Sequence, residues 1–231
     1  RASTAQRYDL AATFPTTDGS RALGWRIFWR LPTKNPGLLV LLGLMQTLLM
    51  FALRTAHGRW LNAPIAVAVG AVVAGTILFA TITALDRTRP RHWIAALLHA
   101  IPHVALGVVG TAAWIALPVS QLSNPWSIIL AFAIYFPVIA VLDAFIVGAY
   151  LIVGSRFQVN VNELYAGLGI EDFKSFLRLH IAPDGSLTIY PIAVDVVATQ
   201  WRADPDALDA APWIIPTRPL SARLVEPPIR R

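Results

Sequence analysis

With 231 residues, of which 56% are hydrophobic and only 14% charged, and a mean hydropathy of +0.58, the chain is too apolar for a soluble domain of its length. The net charge of +6 is carried mostly by arginine, 17 of the 19 basic residues, scattered at the ends of apolar runs. With no Lys-rich stripe and no aromatic-basic interleaving, that charge orients the chain in a lipid bilayer and does not point to nucleic acid. The absence of cysteine excludes disulfides, a thiolate zinc site and a thiol nucleophile.

The chain opens on Arg1, and residues 1–36 lack the n-region and short h-region of a signal peptide, so the start reads as a cut inside a longer protein. Those residues form a cytoplasmic juxtamembrane segment with Arg21, Arg26, Arg30 and Lys34 around Trp25 and Trp29. As a helix it gathers Leu23, Ile27, Phe28 and Leu31 on one side and can lie in the interface, although an ordinary basic flank is the simpler reading.

Four apolar runs follow. Residues 37–53 are only 17 long, about 25 Å as a helix and the low end for a bilayer, with Asn35 and Pro36 as a natural start. Residues 63–85 carry Ala66, Gly70 and Ala74 at four-residue intervals, a small-residue packing face. Residues 93–117 contain Pro102 and residues 126–153 contain Pro137, so both are expected to kink or tilt. Trp60, Trp93, Trp114 and Trp126 stand at span ends as expected interfacial anchors.

Orientation follows from counting Arg and Lys near the span ends. One side collects Arg21, Arg26, Arg30, Lys34, Arg87, Arg89, Arg91 and Arg156; the other has Arg54 and Arg59. Eight against two places both termini in the cytoplasm, in a multi-pass protein of the inner (plasma) membrane.

This orientation sets depths. His103 lies ten residues past Trp93, and Asp143 ten residues before Val153. Both are therefore about 15 Å in, near the midplane, with His99 one turn nearer the cytoplasm on the same helix face. Asp143 is the only carboxylate in the four runs. At that depth it costs at least about 2.5 kcal/mol unless paired, and the histidines are its obvious partners. Three readings of His99, His103 and Asp143 stand: a metal site of two imidazoles and a carboxylate, a proton relay, or an interhelical hydrogen bond that fixes packing. The spacing alone favours the last.

After Gly154 the composition turns to that of a small cytoplasmic domain, residues 154–231. Phe176 to Val194 alternates on both sides of a Pro183-Asp184-Gly185 turn and predicts a β-hairpin. Ile170 to Ser175 predicts a short amphipathic helical turn before it. Beyond it, residues 201–231 hold six of the 17 prolines, with strand-like pieces at Trp213 to Ile215 and Arg223 to Val225. So small a domain needs something to dock on. The fold class is thus mainly α, a four-helix transmembrane bundle with a small α+β cytoplasmic domain.

The run NELYAGLGIEDFKSFLRLHIAPDGSLTIYPIAV, Asn162 to Val194, resembles the C-terminal segment of bacterial membrane proteins whose N-terminal half is a calcineurin-like metallophosphoesterase. FPTTDGSRAL (Phe14 to Leu23) and the Asn35-Pro36 pair resemble the segments that flank the first span in that family. The resemblance implies a cytoplasmic catalytic domain, N-terminal to this chain, that binds divalent metals and hydrolyses phosphoesters. The family's metal strings D-x-H, G-D-x-x-D, G-N-H-D/E and G-H-x-H do not occur in these 231 residues, so no catalytic residue is assigned here. His57, His92 and His180 fall outside the four apolar runs with no ligand context, and His180 reads as a sheet-face residue. Asn162 and Glu163 could contribute to docking the catalytic domain; a polar helix start explains them equally well.

Two functions follow from this reading. One is the membrane anchor and docking module of a cytoplasm-facing metallophosphoesterase, with the bilayer and that catalytic domain as partners. The alternative is an active four-span bundle, an intramembrane metal-dependent hydrolase or small transporter centred on His99, His103 and Asp143.

Overall fold

The computed structural model describes residues 10–57, 62–82, 90–208 and 213–230. They fall into two compact units: residues 24–169 form one, and the described residues of 1–23 and 170–231 form the other. The composition boundaries at 36 and 153 do not coincide with these, because helices flanking the apolar runs belong to the helical unit.

Helix α1 (Thr17–Trp25) bridges the sequence from one unit into the other, and α2 (Ile27–Lys34) follows directly. Ile27 and Leu31 are buried, the expected apolar side, while Trp25 and Trp29 face outward. Helix α3 (Pro36–Ala56) starts with proline at its first position, where no amide hydrogen is needed. Asn35 precedes it but does not cap it: its side-chain amide donates to the carbonyls of Leu31 (3.1 Å) and Gly167 (2.9 Å).

Helices α4 (Ala63–Ile82) and α5 (Pro90–Ala116) pack closely, with Gly75 of α4 against Ala100 of α5. The expected small-residue stripe is not that contact. Ala66, Gly70 and Ala74 are exposed, and no atom comes within 4 Å of a Cβ placed on Gly70. The packing face is instead the one bearing Gly75, Phe79 and Ala80, which meets α5.

A 3-10 turn (Pro118–Gln121) leads to α6 (Trp126–Leu130), a π-helical turn (Ala131–Tyr135) and α7 (Phe136–Arg156). Proline cannot supply an amide hydrogen and its ring crowds the carbonyl four residues back, so the π-turn just before Pro137 is the local adjustment that lets the segment continue. Pro102, by contrast, is carried inside a continuous α5. Among the described residues, four segments are long and apolar enough to cross a membrane: Pro36–Ala56, Ala63–Thr81, His92–Ala116 and Trp126–Arg156. Trp93 and Trp126 are exposed at segment ends. Trp114 is not an anchor: it is buried against Met50, Ala131, Tyr135 and Ile139. Trp60, Arg59, Arg87 and Arg89 lie outside the described residues, as does the Arg91 side chain.

Helix α8 (Val161–Leu168) ends at Gly169, which takes the left-handed conformation (φ +54°). Its last carbonyls are claimed by Arg30 of α2, whose guanidinium donates to Leu168 O and, at 2.8 Å, to Gly169 O. A cation on the carbonyl end of a helix is favoured by the dipole as well as by the bonds. Together with the Asn35–Gly167 bond, this fastens the segment before the first long helix to the segment after the last one.

In the other unit, β1 (Lys174–Ile181) and β2 (Leu187–Val194) form the expected hairpin, in register from Lys174–Val194 to Ile181–Leu187. Gly185 supplies φ +84° in the turn, and Asp184 Oδ1 accepts from the Ser186 amide at 2.9 Å. The expected helical turn at Ile170 to Ser175 is absent; Phe173 at φ +59° breaks any helix there, and β1 has begun by Lys174. β3 (Trp201–Ala203) pairs with β4 (Ile214–Pro216), while β5 (Ala222–Leu224) and β6 (Ile229–Arg230) both pair with β2. Pro191 is tolerated in this inner strand because it lies between the residues paired to β5 and those paired to β6, where no ladder donor is required. Phe14 joins this unit through Phe173 (ring centroids 6.1 Å) and the Arg223 guanidinium (5.3 Å).

Candidate functional site

The depth arithmetic for α5 and α7 brings His103 and Asp143 to one level, and there they meet. His103 Nδ1 and Asp143 Oδ1 share a hydrogen at 2.6 Å, with the residues 7% and 1% exposed. A bond this short between an imidazole and a carboxylate is charge-assisted, and burial removes the water that would compete for it. α3 supports the histidine from its backbone side, Gln46 Nε2 donating to His103 O at 2.9 Å.

His99, one turn earlier, does not reach the carboxylate. Its ring is stacked between Phe79 of α4 (centroids 3.9 Å) and Tyr150 of α7 (3.8 Å), and lies 4.8 Å from the His103 ring. The Tyr150 hydroxyl donates to Asn160 Oδ1 at 3.1 Å, in the turn after α7.

Of the three readings of these residues, the geometry matches the interhelical hydrogen bond, a pair with a stacked neighbour. His103 presents Nδ1 to Asp143, and His99 is held by ring faces. Among the described residues no three His, Cys, Asp or Glu side chains are grouped to hold a metal ion.

Several polar atoms in the same interior are buried with no hydrogen-bond partner among the described residues: Nε2 of His99 and of His103, Oε1 of Gln46, the Thr47 hydroxyl, the Tyr135 hydroxyl and Nε1 of Trp114. The close approach that brings them together rests on two glycines of α5. A Cβ at Gly107 would meet Leu49 and Gln46 Oε1, and one at Gly110 would meet the Tyr135 hydroxyl and Ile139, each at 2.9 Å.

The remaining sequence candidates are dispersed. His92 belongs to the helical interior, with Nε2 donating to Ala80 O at 2.7 Å and fastening α5 to α4. His57 follows α3 at the surface, and His180 is exposed on β1. Asn162 and Glu163 are exposed within the first turn of α8, and the residue preceding that helix is Asn160, in the left-handed conformation. Gln46, Tyr150 and Asn160 were not singled out from the sequence. Gln46 had a signal, being the one amide side chain in an otherwise apolar run. No family model, curated protein or solved structure matches the chain.

Proposed function

We propose that this chain is a four-span protein of the inner (plasma) membrane, both termini cytoplasmic, that acts as the anchor and docking module of a cytoplasm-facing metallophosphoesterase. The observation that carries the topology is that the flanks fold together twice. Arg30 and Asn35, before the first long helix, bond to α8, after the last. Phe14 shares a unit with Phe173 and Arg223. Flanks that meet lie on one side of a bilayer, which requires an even number of crossings. The four apolar helices supply that number, and the Arg and Lys excess gives the side.

The catalytic part of the reading rests on the resemblance of Phe14 to Leu23 and Asn162 to Val194 to phosphoesterase-linked membrane segments. In it, phosphoester hydrolysis and the divalent metals belong to an N-terminal domain, and Asn162 and Glu163, exposed on α8, offer polar contacts for docking. The alternative of an intramembrane metal-dependent hydrolase finds less support in the geometry, since His99 is held by stacking and His103 by the carboxylate.

Two experiments test this reading. A cysteine at Ser123, which is exposed, should react with an impermeant maleimide outside sealed cells, and one at Ser186 should not. Ser120 is unsuited, being buried with its carbonyl held by Arg54. Labelling at Ser186 equal to that at Ser123 overturns the topology. The coding sequence upstream of Arg1 should carry the phosphoesterase metal motifs, and deleting that region should abolish divalent-metal-dependent hydrolysis of a model phosphodiester by the membrane-bound protein; an upstream sequence without those motifs removes the catalytic part.

A further inference from the structure

We propose that the His103–Asp143 pair is a proton-binding site inside the bundle, reached through internal water from the Tyr150–Asn160 end and closed at the other. Fastening α5 to α7 needs one bond, and Nδ1 of His103 provides it. The second ring nitrogen is what a purely structural role leaves unexplained. Nε2 of His103 is buried without a partner, and one turn away Nε2 of His99 repeats the pattern, with the rings 4.8 Å apart. From α3, Gln46 Oε1 and the Thr47 hydroxyl add two more buried, unpartnered polar atoms. Buried polar groups are costly unless satisfied, and an internal water makes about three hydrogen bonds, which donors and acceptors of this kind can supply.

Water between the two imidazoles extends a line of exchangeable groups from Asp143 through His103 and His99 to Tyr150, stacked on His99, and then to Asn160 beyond the end of α7. In the opposite direction the line stops. Past Gly107 the space is taken by Leu49, and Met50, Trp114, Ala131, Tyr135 and Ile139 pack over it, with the Tyr135 hydroxyl and Trp114 Nε1 the two side-chain polar atoms enclosed in that otherwise apolar cluster. A path open at one end binds and releases a proton but does not conduct one.

The step balances with water as the only co-reactant. A proton from hydronium adds to Nε2 of His103 while Nδ1 passes its own proton to Asp143 Oδ1, taking the pair from a charge of −1 to neutral; release is the reverse. The titratable groups around His103 are Asp143 from α7, His99 from its own helix with Tyr150 stacked behind it, and Tyr135 two turns away in the π-turn. α3 presents Gln46 and α4 presents Phe79, both uncharged.

The test uses the full chain with 15N-labelled imidazoles in lipid nanodiscs, following the ring nitrogens and their exchange with water by NMR. In the unmodified protein His103 should report uptake of one proton and a change of tautomer as the medium is acidified, and exchange with water at Nε2. The uptake should vanish in Asp143→Asn. His99→Phe keeps the stack on Phe79 and Tyr150 but removes the ring nitrogens, and should slow Nε2 exchange at His103 by about tenfold or more. A His103 ring fixed in one tautomer at every pH at which the bundle stays folded, with no water exchange, overturns the proposal without reference to any variant. Steady proton flux through vesicles containing the unmodified protein overturns the closed end. Neither result bears on the phosphoesterase reading, which stands or falls on the upstream domain.

Discussion

The helical unit and the sheet unit place polarity in opposite locations. In the helical unit the outer surface is Leu48, Ile65, Val69, Val109 and Val138, each more than half exposed, while Gln46, Thr47, His103 and Asp143 are inside. In the sheet unit Ala193 and Val194 are buried and the ion pair of Asp195 with Arg223 is on the surface. That is the arrangement expected of one unit suited to hydrocarbon, which penalises polar groups on its surface, and of another suited to water. Exceptions are β1, where Leu177, Leu179 and Ile181 are exposed on an edge strand, and Val196, Leu208 and Trp213 beyond the hairpin.

The contrast is sharpest where a polar interior meets an apolar plug, and the largest expected effect is there. Trp114→Ala should cost about 3–5 kcal/mol, because the indole fills the space between Met50, Tyr135 and Ile139 and the backbone cannot collapse onto a hole of that size. His103→Leu comes next, at about 3 kcal/mol, since it leaves the Asp143 carboxylate at mid-depth with no partner. Asp143→Asn should cost only about 1 kcal/mol, because an amide still bonds the imidazole. Thermal unfolding in detergent micelles measures all three. Equal losses for His103→Leu and Asp143→Asn would break the claim that the buried carboxylate depends on its imidazole partner.

The pair was legible in the sequence for a reason that does not extend to its surroundings. Ten residues from a common side fixes depth, and depth narrowed the partner to His103 or His99, of which the structure has His103. Facing direction around a helix is not given by position at a span end, so Trp114 reads as an anchor and is a plug. Ala66, Gly70 and Ala74 likewise read as a packing face and turn outward. The bonds of Arg30 and Asn35 to α8 were invisible because their acceptors are backbone carbonyls, which leave no mark in a side-chain pattern. The hairpin was legible down to its turn, since alternation and the Pro-Asp-Gly sequence act locally.

A smaller effect tests the exception on β1. Leu179→Lys should change the stability of the sheet unit by no more than about 0.5 kcal/mol if that strand faces water, as its exposure indicates. A loss several times larger, read from amide exchange across the β1–β2 ladder, would mean that the strand is covered in the whole protein and that both units bury their apolar surface against something.

The smallest effect belongs to the surface pair. Arg223 donates to both carboxylate oxygens of Asp195, at 2.9 and 3.0 Å, and this hydrogen bonding, with the guanidinium charge, holds the Asp195 carboxyl below the usual carboxylate range. A group whose folded pKa is depressed contributes stability that is fully present above its unfolded value, about 4, and is lost as pH falls through the folded value. Amide exchange at the β2–β5 ladder, which Arg223 joins opposite Ala193, should therefore be flat from neutral pH down to about 5, after correction for the intrinsic pH dependence of exchange, and speed up only below about 4. Because the pair is open to solvent, added salt should shrink the effect. The same acidification leaves Arg30 bound to the carbonyls of α8, since that contact contains no carboxylate, so the α2–α8 contact should keep its protection where the β2–β5 ladder loses it. Loss of both together at one pH would show that the two units unfold as one and that the contrast between them is a matter of surface alone.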